Sequence, residues 1–182
     1  IDTAYDNVPT HLESSISFQE GDVRTIRVDK KFDAVMSLFH VASYQISNDD
    51  IRAMLHTAAM HLNSGGVFVF DFWYGPAVLT DRPVVRSKHM DGDGHTVLRI
   101  AEPTMYANEN RVDVDYTVLV TNENDKQTHT IRELHQMRYF FAPELQMLLA
   151  EAGFELVNLV EWMSGDEPGF DTWSATVVAV RN

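Results

Sequence analysis

Two clusters of side chains combine polar chemistry with aromatic surface. His40 and Tyr44 follow the apolar run Phe32 to Phe39, and Asp71, Phe72, Trp73 and Tyr74 follow Val67 to Phe70. An imidazole titrates near neutrality, so His40 is a candidate general base or substrate anchor, and equally a turn histidine bonded to backbone. Tyr44 can orient a substrate or accept a proton, or it can pack on the segment that follows. Asp71 is placed to meet an amine or hydroxyl, or to cap a strand end. Phe72, Trp73 and Tyr74 offer a wall for a cation or a planar substrate, with core packing as the alternative. Glu133 and His135 stand two apart on one strand face; without a third ligand at diagnostic spacing they read as a sheet pair, and no metal is expected. The chain has no cysteine, which removes thiolate nucleophiles, thiolate metal sites and disulfides.

The elements that must position these groups read as a βαβ unit. Phe32 to Phe39 is an apolar run of the kind covered on both faces in a parallel sheet. Ile51, Met54, Leu55, Ala58, Ala59 and Leu62 recur at helical spacing, with Ser47 and Asp50 in capping-box register and Asn63-Ser64-Gly65-Gly66 as the stop signal. Val67 to Phe70 returns as the second strand, and the helical crossover makes the pair parallel and right-handed. Ligands in open α/β sheets sit outside the carboxyl ends of the strands, which here carry the two clusters.

Upstream, Ile16-Ser17-Phe18-Gln19 alternates and predicts a short strand running into the acidic turn Glu20 to Arg24. Residues 3–15 predict an irregular short helix, and Ile1-Asp2 the tail of a strand. Downstream of the break at Gly75-Pro76, turn signals at Asp91 to Gly94, Asn108 to Asn110 and Asn122 to Asp125 separate alternating runs, the clearest from Val112 to Val120. An antiparallel sheet over residues 84–140 is expected, inserted into the α/β body and covering the substrate mouth. Pro143 and Glu144 open a second amphipathic helix that closes at Gly153, and Phe154 to Trp162 with Trp173 to Val180 form a terminal β-hairpin.

A chain of 182 residues buries about 70% of its unfolded surface, which suits one domain. The balance of 14 Lys and Arg against 27 Asp and Glu gives a net charge of -13 and disfavours nucleic acid and anionic membranes as partners. No apolar run approaches the ~20 residues of a membrane helix and no signal segment opens the chain, so a cytoplasmic protein is expected. A homo-oligomer stays open. Ile1 stands where a methionine would start a chain, and an N-terminally incomplete sequence is expected.

The order of blocks resembles the class I S-adenosylmethionine-dependent methyltransferases: Gly21-Asp22-Val23-Arg24, the strand to Phe39, the helix, His61 to Val67, the strand ending Phe70-Asp71-Phe72, then helix and hairpin. The β-rich insertion is similar to that of small-molecule members, including the sugar N-methyltransferases. This resemblance implies a Rossmann-like α/β sheet and S-adenosylmethionine as cofactor. It implies that Asp2 meets the ribose hydroxyls, that Asp22 accepts from the adenine amino group beside Gly21, and that the Val23 amide meets the ring. Leu38, Phe39 and His40 fall near the reaction centre, and Tyr44 stands where some sugar N-methyltransferases place a catalytic histidine. The family's glycine-rich loop is not found ahead of Ile1, which implies that the first strand is missing. The expected function is methyl transfer to a nitrogen or oxygen of a small molecule, with Asp71 and the aromatic wall on the substrate side. A non-catalytic binding or assembly module is the alternative; a dehydrogenase-like nucleotide enzyme would need a glycine fingerprint that is equally missing.

Overall fold

The computed structural model describes residues 1–182, the side chain of Asp2 excepted. Helix α1 (Asp2–Asp6) and a 3-10 turn at Thr10–Leu12 open the chain, and no regular element follows until β1 (Phe32–Ser37). A second 3-10 turn at Val41–Tyr44 leads to α2 (Asn48–His61), and β2 (Leu62–Tyr74) follows directly. Next come α3 (Gly75–Thr80) and four long strands, β3 (Arg86–Gly92), β4 (His95–Tyr106), β5 (Arg111–Asn122) and β6 (Thr128–Phe140). Helix α4 (Ala142–Glu151) and the hairpin β7 (Phe154–Glu161) and β8 (Ser174–Arg181) complete the chain. No described helix is long and apolar enough to cross a membrane.

The strands form one mixed sheet in the order β3-β4-β5-β6-β2-β8-β7, with β1 also paired to β2. The β1–β2 pair is parallel, as a helical crossover requires, and β8 lies antiparallel on the other side of β2. Strand β6 meets β2 only at its last two residues, Trp73↔Tyr139 and Tyr74↔Phe140, just beyond the end of β1. The antiparallel strands β3 to β6 are thereby set against the carboxyl end of β1.

Alternation along β2 decides what is core and what faces the site. Phe68, Phe70 and Phe72 point to one face and are buried with Ile51, Leu55, Leu145 and Leu149 of α2 and α4. Each such side chain is worth about 1.5–3 kcal/mol of burial. Asp71 and Trp73 point to the other face.

Five expectations need correction. Ile1-Asp2 is not a strand tail: the Ala4 and Tyr5 amides bond back to the Ile1 carbonyl at 2.9 and 3.1 Å, and a helix starts there. Ile16 to Gln19 is not a strand, because no described strand runs beside it; the Phe18 amide instead donates to the Tyr5 hydroxyl at 3.1 Å, with the two rings edge to face. Strand β1 stops at Ser37, because Phe39 and His40 take left-handed φ values of 65° and 62°. The segment Asn63 to Gly66 does not end the helix in a loop. Gly65, at φ 78°, lies in a bulge of β2 where the register on β1 jumps between Phe32↔Leu62 and Ala34↔Val67. The Gly75-Pro76 break is the first turn of α3, where a proline lacks no needed N–H.

Candidate active site

Asp71 holds the end of β1. Its carboxylate is 2% exposed, and both oxygens accept the His40 amide N–H at 3.1 Å. His40 Nδ1 lies 3.0 Å from Asp71 Oδ2, within ion-pair range but off the hydrogen-bonding direction. A left-handed conformation at two successive non-glycine residues costs on the order of 1–3 kcal/mol each, and the Asp71 bonds oppose that cost. Phe39 is thrown outward and is 83% exposed. Buried Ser43 accepts the Trp73 amide N–H at 2.9 Å, which fixes the Val41–Tyr44 turn on β2 and sends the Tyr44 ring towards β6.

At β6 the Tyr44 hydroxyl lies 2.6 Å from His135 Nδ1, and His135 Nε2 lies 3.1 Å from a Glu133 carboxylate oxygen. The Tyr116 ring packs edge-on against His135 at 5.0 Å between centroids. Burial, then the charges of Tyr116 and Glu133, push the Tyr44 phenol above its usual pKa.

Two cavities flank this turn. One, of about 350 Å³, lies along β1 and is lined by Val23, Ser37, Leu38, Val41 and Met54 among others. The other, of about 280 Å³, lies between Trp73, Trp173, Tyr116 and Arg86. Val41 lines the first, and Trp73, whose amide N–H the Ser43 hydroxyl accepts, lines the second.

The segment that supplies Val23 is tied to α2. Asp22 accepts from the Arg24 amide at 2.9 Å and its guanidinium at 2.6 Å, while Arg24 Nη1 reaches Asp50 at 2.7 Å. The Arg24 side chain, then its amide, hold the Asp22 carboxyl down at about 2. Arg27 donates to Thr57 at 2.8 Å and the Val28 amide donates to His61 Nε2 at 2.8 Å.

Of the sequence-predicted cofactor residues, Val23 and Leu38 meet in the first cavity. Gly21 and Asp22 form the adjoining turn, and Phe39 and His40 continue from Leu38. The role expected of the Asp2 side chain lies outside the described residues. On the substrate side the wall is narrower than expected. Phe72 is fully buried against Phe70, Tyr74 and Phe140, and Tyr74 packs on the same core, because both occupy the even-numbered face of β2. Trp73 faces the second cavity, and Asp71 is engaged with His40. Sequence reasoning missed Trp173, Tyr116 and the link from Tyr44 to His135. Only the aromatic character of Trp173 and Tyr116 and the Glu133/His135 spacing hinted at them.

No known protein-family model matches the chain. Its fold is found in solved structures: an S-adenosylmethionine-dependent methyltransferase from Clostridium acetobutylicum ATCC 824 superposes with a TM-score of 0.75 at 19% identity, covering 89% of this chain and 63% of that one. The fold is that of the class I S-adenosylmethionine-dependent methyltransferases, a mixed α/β sheet with a terminal hairpin. In sequence the chain resembles the sugar N-methyltransferases. It is 28% identical over 153 residues to the dTDP-3-amino-3,4,6-trideoxy-alpha-D-glucopyranose N,N-dimethyltransferase of Streptomyces venezuelae, 84% of this chain and 61% of the relative. It is 29% identical over 175 residues to the dTDP-4-amino-2,3,4,6-tetradeoxy-D-glucose N,N-dimethyltransferase of Saccharopolyspora spinosa, 96% of this chain and 62% of the relative. The chain thus spans about three fifths of the length of these curated relatives.

Proposed function

We propose that the protein transfers a methyl group from S-adenosylmethionine to the amine nitrogen of a small molecule, an amino sugar in the first instance. The observation that carries this reading is the strained His40 to Tyr44 turn, whose Val41 lines an apolar cavity along β1 and whose Ser43 is bonded to Trp73 in the wall of an aromatic one. Methyl transfer is an in-line displacement, so an enzyme contributes mainly by holding donor and acceptor in line, worth about 7–11 kcal/mol in favourable cases.

The cavity along β1 suits the cofactor. Val23, Leu38 and Val41 give apolar walls for a flat ring, the Gly21-Asp22 turn supplies a polar edge, and the buried Ser37 hydroxyl there has no partner among the described residues. Gly21, Asp22, Val23, Leu38, Phe39 and His40 would hold it, and when bound it supplies an electrophilic methyl on a sulfonium. His40 and Tyr44 take the catalytic positions, with Trp73 as the substrate wall. The names of the two curated relatives support nitrogen as the acceptor and a nucleotide-linked amino sugar as the substrate class.

The test is calorimetric titration of the full-length protein with S-adenosylhomocysteine, followed by mass spectrometry of a dTDP-linked amino sugar incubated with enzyme and S-adenosylmethionine. Binding and methyl gain are expected. Binding without methyl gain would favour a non-catalytic module, and absence of binding at high micromolar ligand would sink the reading.

A further inference from the structure

We propose that Tyr44, His135 and Glu133 form a proton relay that strips the substrate ammonium before each methyl transfer, an inference resting on the methyl-transfer reading above. Three residues from two distant parts of the chain meet in one line. The Tyr44 hydroxyl is 2.6 Å from His135 Nδ1, and His135 Nε2 is 3.1 Å from Glu133 Oε2.

The direction of the proton follows from the end of the line. An ionised carboxylate only accepts, so the imidazole proton sits on Nε2 facing Glu133. Nδ1 then carries the lone pair and accepts the Tyr44 O–H. The Tyr44 oxygen keeps a lone pair for an incoming N–H, and the residue is 44% exposed. Burial, Tyr116 and Glu133 push the Tyr44 phenol up, which keeps it a neutral donor near neutrality. The titratable and charged groups around His135 are Tyr44 from the 3-10 turn, Glu133 from its own strand and Tyr116 from β5. The Arg99 guanidinium of β4 lies 5.4 Å above the Tyr116 ring.

An alkyl amine is protonated near neutrality and has no lone pair with which to attack. In the relay, an ammonium N–H bond breaks and its proton goes to the Tyr44 oxygen. The Tyr44 O–H bond breaks in turn and its proton goes to His135 Nδ1. The substrate is left as a neutral amine, Tyr44 is unchanged, and the positive charge rests on an imidazolium beside the Glu133 carboxylate. The amine lone pair then forms the N–C bond as the S–CH3 bond breaks with its electrons on sulfur. The product is again an ammonium, so a second methylation needs the same step after His135 has released its proton to solvent.

The geometry is tested without cofactor or substrate by nitrogen NMR of the histidine rings in the full-length protein. His135 is expected as the Nε2–H tautomer, with its Nδ1 resonance shifted in Tyr44→Phe and its Nε2 resonance shifted in Glu133→Gln but little in Glu133→Asp. An Nδ1–H tautomer, or a ring indifferent to Tyr44→Phe, would overturn the relay. Steady-state kinetics with a dTDP-linked amino sugar test its use. His135→Gln is expected to lower kcat about 10²-fold near neutrality, the lower end for a lost acid–base group, with KM little changed and activity recovering as pH rises. Equal kcat and an unmoved pH profile in a folded His135→Gln protein overturn the relay while leaving methyl transfer standing. A parent protein with the Nε2–H tautomer that neither binds S-adenosylhomocysteine nor methylates the amino sugar overturns the methyl-transfer reading, and the relay's role with it.

Discussion

The buried carboxylate of Asp71 grips the amide of His40 with both oxygens at 3.1 Å, joining the middle of β2 to the turn that ends β1. That bond bridges a βαβ crossover at the point where Phe39 and His40 leave the ordinary backbone region. Asp71→Leu is expected to lower stability by about 1.5–3 kcal/mol, the worth of a hydrogen bond to a charged group. The urea midpoint measures it. Amide exchange at residues 39 to 44 should accelerate more than exchange in α4; equal protection in parent and variant would show that Asp71 does not hold the turn.

Asp22 gives the protein an acid-sensitive contact. Its carboxyl is lowered from 3.8 to about 2 by the Arg24 side chain first, then the Arg24 amide, and Asp50 is lowered by Ser47 first, then Arg24. A group depressed on folding stabilises above its unfolded value and loses that contribution as pH falls through the folded one. Parent and Arg24→Gln are therefore expected to differ most in urea midpoint above pH 3.8 and to converge as pH approaches about 2. A gap that stays constant across that range would place Arg24's contribution elsewhere.

The same segment hangs on His61, which is buried and bonded at both ring nitrogens. Its Nε2 accepts the Val28 amide at 2.8 Å, so the ring proton is on Nδ1 and donates to the Thr57 carbonyl at 2.7 Å. His61→Leu keeps the volume but strands the Val28 N–H, for which a loss of about 1–3 kcal/mol is expected. Faster exchange of the Val28 amide is the specific sign; an unchanged Val28 amide would mean that water replaces the imidazole there.

What could be read from the chain divides along local and non-local lines. The helix around Ile51 to Ala59, the alternation of Val112 to Val120 and the terminal hairpin follow from periodicities written in consecutive residues. Ile16 to Gln19 has the same alternation and no strand, because a strand exists only with a neighbour to bond. Gly65 signals a positive φ equally well in a helix stop and in a bulge, and only the register of β1 on β2 decides between them. Phe39 and His40 carry no glycine to announce their left-handed turn; it is fixed by Asp71, 31 positions on. His135 was visible as half of a pair with Glu133, but its contact with Tyr44 spans 91 positions and depends on two residues of β6 reaching β2.

That junction of β6 on β2 rests on Arg138. The guanidinium is buried, stacks 4.8 Å over Phe140, and donates from Nη2 to Glu144 and to Asn48 Oδ1 at 2.8 Å. It thus binds β6 to the first turns of both α4 and α2, while Glu144 also accepts the Phe141 amide at 3.4 Å. Removing one partner of a buried pair leaves the other charge without compensation, so Arg138→Met is expected to cost about 3–5 kcal/mol. Arg138→Lys should recover little of it, since an ammonium cannot span Glu144 and Asn48 from one plane or stack on Phe140. The double variant Arg138→Met with Glu144→Leu should regain much of the loss because neither charge is stranded, and denaturant midpoints of the four proteins give the coupling directly. Additive losses would mean that Arg138 holds the junction by packing and its bond to Asn48 alone. In that case the Tyr44–His135 distance, read from the His135 ring resonance, should survive Glu144→Leu and fail in Arg138→Met.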